Sequence, residues 1–125
     1  MKLFVSLLFA LAPLTAAADT SYNAETNVTH DCAKDPKVSV NSSTGTFVFT
    51  GTCDKISING SDLKATIEAV KAISINGSTN TIDIVAVDKL SVLGSTNTVT
   101  YKKAVTAKQP KVSSLGSDNK ISKVK

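Results

Sequence analysis

Ile73-Ser74-Ile75-Asn76-Gly77-Ser78-Thr79-Asn80-Thr81-Ile82 is the stretch that the rest of the chain copies. ISINGSTNTI returns as LSVLGSTNTV at residues 90–99, ISINGSDLKA at 56–65, VSVNSSTGTF at 38–47 and VSSLGSDNKI at 112–121. The copies start at 38, 56, 73, 90 and 112, at intervals of 18, 17, 17 and 22 residues. Self-similarity at such a period marks a repeat architecture in which each unit buries its apolar residues against the next.

Laid over one another, the copies form columns. The first holds Val38, Ile56, Ile73, Leu90 and Val112; serine follows in every copy (Ser39, Ser57, Ser74, Ser91, Ser113); then come Val40, Ile58, Ile75 and Val92, with Ser114 in the last copy. Beyond a Gly/Ser/Asn corner lie Asn80, Asn97 and Asn119, then the apolar columns Phe47, Ala65, Ile82, Val99, Ile121 and Phe49, Ile67, Ile84, Tyr101. Each copy thus supplies two short runs with the period-two alternation of strands.

Asn-Gly between alternating runs is a hairpin signal. A two-residue turn at Asn76-Gly77 would set Ile75 opposite Ser78 and Ile73 opposite Asn80, mixing apolar and polar residues on one face. A chain that coils in one direction instead stacks each copy ~4.8 Å above the last in parallel register, like upon like. The columns therefore predict an all-β, single-domain β-solenoid, parallel β-helix-like, of about five coils.

Residues 1–18 have the form of a cleaved signal peptide: Lys2, an apolar run over 3–14, and the small residues Ala16-Ala17-Ala18 before the cut. The solenoid domain is then residues 19–125, with a secreted or periplasmic destination. The apolar run is shorter than the ~20 residues of a membrane span. In an exported chain the two cysteines, Cys32 and Cys53, are expected to pair. Residues 25–30 weakly echo STNTVTY, a half coil that places Cys32 near Cys53 one coil away, within reach of a disulfide. A metal or redox pair would favour a CxxC spacing, which is absent. His30, the single histidine, is expected to be solvated at the N-terminal edge.

Val70 and Val87 share a column that Val105 extends, which suggests a short third side to each coil. Lys55, Lys71 and Lys89 fall at successive corners. Asn27, Asn41, Asn59 and Asn76 head N-x-[ST] triplets; three share a corner column, where a tolerance for positive φ explains them without glycans. From Lys102 to Lys125 the chain holds seven lysines and one aspartate, against a net charge of +4 for the whole. These lysines, Lys102, Lys103, Lys108 and Lys111 among them, discourage another chain from adding to an exposed edge; the alternative role is attraction of an anionic lipid or polysaccharide. The absence of arginine and of an aromatic platform argues against nucleic acid.

Residues 75–82 and 92–99 carry a V-x-G-S-x-N-T-V-like unit. In this the chain resembles a domain-of-unknown-function family of small exported bacterial proteins, which implies no activity to transfer. The unit also resembles that of plant ice-binding solenoids, which implies flat ranks of threonine hydroxyls. Here the corresponding ranks are Thr46, Lys64, Thr81, Thr98, Lys120 and Val48, Thr66, Asp83, Thr100, Ser122.

No catalytic triad, phosphate loop or metal-ligand spacing is present in the sequence, and no enzyme activity or cofactor is expected. The expected role is that of an exported structural or surface-interaction module, with the serine ladder Ser57, Ser74, Ser91 offering hydrogen bonds to a repeating partner such as a glycan. Ice binding and binding of an anionic envelope polysaccharide or lipid are the alternatives.

Overall fold

The computed structural model of the chain describes residues 19–125, and the leader expected over residues 1–18 lies outside them. The strands are β1 (Asp19–Asn23), β2 (Asn27–Asp31), β3 (Lys37–Asn41), β4 (Gly45–Ser61), β5 (Leu63–Ser78), β6 (Thr81–Ser95), β7 (Thr98–Lys103), β8 (Lys111–Ser117) and β9 (Lys120–Lys123). Every pairing among them is parallel, β1 on β3, β2 and β3 on β4, then β5 and β6, with β7 and β8 on β6 and β9 on β7. The chain is a β-solenoid.

There are about six turns, one more than the repeat count suggested. Residues 25–30, expected to give half a coil, belong to a whole one over residues 19–36: Thr20, Ser21 and Tyr22 of β1 stand on Val38, Ser39 and Val40. Their corner, Asn23-Ala24-Glu25-Thr26, lacks the Gly-Ser-x-Asn unit that flags the later copies. Strand pairing there is legible only by register.

Each turn has two flat faces and a short third side. The long strands β4, β5 and β6 run along the second face of one turn, round the third side and along the first face of the next. Inward columns coincide with those read from the repeats: Val38, Ile56, Ile73, Leu90 and Val40, Ile58, Ile75, Val92 on the first face, Phe47, Ala65, Ile82, Val99 and Phe49, Ile67, Ile84 on the second. All of these are buried. At ~1.5–3 kcal/mol for each large aliphatic side chain removed from water, this double spine supplies the main drive for folding.

The repeated Gly-Ser-x-Asn corner has a specific mechanical reason. Gly60, Gly77, Gly94 and Gly116 stack directly, and a Cβ on any of them would overlap the carbonyl oxygen of the residue beneath, Ser42, Gly60, Gly77 and Gly94 in turn. The close approach leaves the glycine carbonyls facing the corner, where an asparagine three positions after the covering glycine reaches them. Asn80 Nδ2 donates to Gly60 O, Asn97 Nδ2 to Gly77 O and Asn119 Nδ2 to Gly94 O, each at 3.0 Å. Asn80 and Asn97 are fully buried. The third position of the corner, Thr79 or Thr96, takes positive φ (59°), as does Asp118 (58°).

On the third side Cys53, Val70 and Val87 form the inward column. Cys32 joins Cys53 by a disulfide, Cα atoms 4.9 Å apart, and so ties the first turn to the second. Val105 does not extend this column. Pairing of β7 ends at Lys103 on Ala86, and residues 104–110 leave as a loop before β8.

Candidate functional site

Three outward columns run the length of the first face. The first is Asp19, Lys37, Lys55, Ala72, Lys89, Lys111; the second Ser21, Ser39, Ser57, Ser74, Ser91, Ser113; the third Asn23, Asn41, Asn59, Asn76, Leu93, Leu115. Successive rungs of a parallel ladder lie ~4.8 Å apart, so the face is a regular polar grid. Ser57, Ser74 and Ser91, the ladder expected from sequence, stand half-buried in its middle rank. Asn41 donates to Asn23, Asn59 to Asn41 and Asn76 to Asn59 through side-chain amides at 3.0–3.1 Å, which fixes their orientation on the surface.

Three of the four N-x-[ST] asparagines, Asn41, Asn59 and Asn76, therefore take their places by laddering, whereas Asn27 lies on the second face opposite Thr46. Positive φ, the expected reason, falls one residue later at Gly77 and at Thr44, Asp62, Thr79 and Thr96, not on Asn41, Asn59 or Asn76. The second asparagine set, Asn80 and Asn97, is inside the corner and displays nothing to a partner. Its amides also link rung to rung: Asn97 Oδ1 accepts from Asn80 N and Nδ2, Asn119 Oδ1 accepts from Asn97 N and Nδ2, and Asn80 Oδ1 accepts from Leu63 N.

Lysine spacing on this face differs from the expected one. Lys71, placed in line with Lys55 and Lys89 by its distance from them, turns away and pairs with Asp54 at 3.7 Å. Ala72 takes its slot. The missing side chain opens a groove of about 370 Å³ between Lys55, Lys89 and Lys111, floored by Ala72, Ile73 and Leu90 and edged by Ser74, Ser91 and Ser113. A second hollow continues downward along Lys37, Ser39, Lys55 and Ser57.

The C-terminal lysines do not gather into one patch. Lys111 joins the rank of Lys89, whereas Lys102 and Lys103 close the far end of β7 and Lys108 lies in the intervening loop. Those positions flank the third side instead of sharing a face. Asp88 holds the loop there, accepting from the Thr106 hydroxyl at 2.7 Å and from the N–H groups of Val105, Thr106 and Ala107 at 2.7–3.1 Å. The Thr106 hydroxyl and these N–H groups lower its carboxyl to a pKa of about 2, although partial desolvation acts the other way.

His30 departs from the expectation that it is solvated. Its column is that of Phe49, Ile67 and Ile84, which faces inward, and it is 5% exposed. Nε2 donates to Asp35 O at 2.8 Å, and the Tyr22 hydroxyl meets Nδ1 at 2.7 Å. Burial, then the charges of Asp35 and Glu25, raise the Tyr22 pKa and keep that hydroxyl a donor. Tyr22, His30, Phe47 and Phe49 pack ring against ring. Thr20 donates to Asp35 Oδ2, while Asp35 Oδ1 is buried without a partner. The group plugs the first turn, a task the sequence could have signalled through His30 aligning with the apolar column.

The second face carries the two ranks compared with ice-binding solenoids, in the register anticipated. Lys64 and Lys120 interrupt one and Val48 and Asp83 the other, and the Thr100 hydroxyl is spent on Asp83 at 2.6 Å. Among the described residues no group of three or more His, Cys, Asp or Glu side chains could hold a metal ion. Among the same residues no helix is long and apolar enough to cross a membrane.

A disulfide-tied chain of stacked parallel turns belongs to the class of small β-solenoid repeat proteins. The chain is a member of the DUF3060 family, a protein of unknown function, whose model matches residues 40–83 and again 69–118. The two matches overlap, as stacked copies of one unit allow. No curated protein and no solved structure matches the chain.

Proposed function

We propose that the protein is an exported surface-interaction module whose first face binds an extended acidic polysaccharide. One observation carries this: Lys37, Lys55, Lys89 and Lys111 stand in a single rank, interrupted at Ala72, beside a continuous rank of serine and a rank of asparagine that gives way to Leu93 and Leu115 in the last two turns. Serine hydroxyls both donate and accept, as sugar hydroxyls require, and the ammonium groups add attraction for carboxylate or sulfate. The gap at Ala72 gives a ring or substituent a place to seat between cations. The Cys32–Cys53 disulfide fits export to an oxidising compartment, the destination that the leader-like form of residues 1–18 suggests. Lysines on a flat parallel sheet form an electrostatic track, so affinity should weaken with salt.

Calorimetric titration with polygalacturonate, against neutral dextran, tests the assignment. Binding of the acidic polymer alone is expected, with Lys55→Ala/Lys89→Ala weakening it at least about tenfold, equivalent to ~1.4 kcal/mol. Equal affinity for dextran, or an unaffected double variant, would overturn it.

A further inference from the structure

We propose that the protein stacks head to tail on copies of itself, the first turn of one molecule adding to the sixth turn of another as the next rung of the same solenoid. This goes beyond the glycan-binding face and rests on different residues. In the sixth turn β8 pairs only with β6 and β9 only with β7. Its other edge is bare among the described residues: β8 is exposed throughout, with Val112 at 42% and Leu115 at 63%. At the opposite end β1 and β2 pair only with β3 and β4. Among the described residues, then, each end offers one free parallel edge, and an edge of this kind accepts a strand through main-chain hydrogen bonds.

Lysines along an edge normally repel a neighbour. Here the repulsion is selective. Residues 111–125 hold Lys111, Lys120, Lys123 and Lys125 against Asp118, a charge of +3; residues 19–36 hold Asp19, Glu25, Asp31 and Asp35 against Lys34, a charge of −3. Two tails repel, two heads repel, and a head attracts a tail.

Register agrees with charge. Because the two faces keep one register from the first turn to the sixth, although Ser114 and Lys123 take places in the apolar columns of the last, continuing them one rung sets Asp19 on Lys111, Thr20 on Val112, Ser21 on Ser113, Asn27 on Lys120 and Val28 on Ile121. The exposed Val112 and the half-buried Val28 and Ile121 are covered in the process. Such a contact is heterologous and does not close, so it produces rods of growing length.

The test is sedimentation velocity with electron microscopy on the chain in the form its host accumulates, at about 0.01 M and about 1 M salt, where the screening length falls from ~30 to ~3 Å. Rods one solenoid wide, growing with concentration and shortening at high salt, are the expected result. The tail-reversed variant Lys120→Glu/Lys123→Glu/Lys125→Glu and the head-reversed variant Asp19→Lys/Glu25→Lys should each stay monomeric and should associate when mixed. A chain bearing Ser21→Cys and Ser113→Cys should form intermolecular disulfide ladders on oxidation, even if charge reversal impairs folding. Monomers at both salt levels, no ladder from the cysteine pair, or closed dimers would overturn the proposal. None of these substitutions touches Lys55 or Lys89, so failure here leaves the glycan assignment standing.

Discussion

Asn97 makes four hydrogen bonds with one side chain, two accepted from Asn80 and one donated to each of Gly77 O and Asn119 Oδ1. The corner is sealed from water, so removing the amide strands the Asn80 donors and the Gly77 carbonyl. Asn97→Ala should therefore lower stability by about 2–4 kcal/mol, because buried groups without partners each cost ~1–3 kcal/mol. Asn76→Ala, on the exposed ladder, should lower it by less than about 1 kcal/mol, since water replaces the lost bond. Urea unfolding of the two variants checks the contrast, and equal losses would contradict the inside-outside assignment. The sequence marks both asparagines as corner residues by turn preference. It does not say which amide points inward, since that depends on the closeness of stacked glycines, a distance set by the neighbouring turn. Thr79 is a similar case. A β-branched residue at φ 59° is disfavoured by its own sterics, and its place is imposed by the corner around it.

At the scale of elements, like-on-like columns were enough to specify parallel strands, their register and the two apolar spines, because a one-residue slip would turn Ile58, Ile75 and Val92 outward. The inserted loop was legible as an interval of 22 residues in place of 17. What holds it was not: Asp88 looks like a local partner for Lys89 and instead gathers the N–H groups of residues 105–107. Its folded pKa of about 2 lies below the unfolded value of 3.8. A depressed carboxylate stabilises fully above the unfolded value, and the contribution fades as pH falls toward about 2. Amide exchange at Val105, Thr106 and Ala107 should accordingly quicken between about pH 4 and about pH 2 while the strands stay protected. At neutral pH Asp88→Asn should speed tryptic cleavage after Lys108. A loop whose exchange is flat across that pH interval would show that the carboxylate does not hold it.

Across the whole molecule, each turn touches only its neighbours, so stability is a sum of turns and interfaces, and opening begins at the ends. The ends are unequal. The first turn is closed by the Cys32–Cys53 bond and by the packed Tyr22, His30, Phe47 and Phe49 rings, while the sixth turn exposes all of β8. A closed loop of 21-residue separation is worth about 3 kcal/mol in the chain-entropy model. Hydrogen exchange of dilute protein should show greatest protection in β5 and β6, intermediate protection in β2 to β4 and least in β8 and β9. Cys32→Ser/Cys53→Ser should collapse protection in the first turn, lower overall stability by about 3 kcal/mol and leave the rank order of the later turns unchanged. Uniform loss along the chain would mean that the turns unfold as one block. The gradient also bears on growth: once a head turn covers the sixth turn, β8 and β9 gain a paired edge, so their slow-exchange fraction should rise with protein concentration while that of β5 stays level.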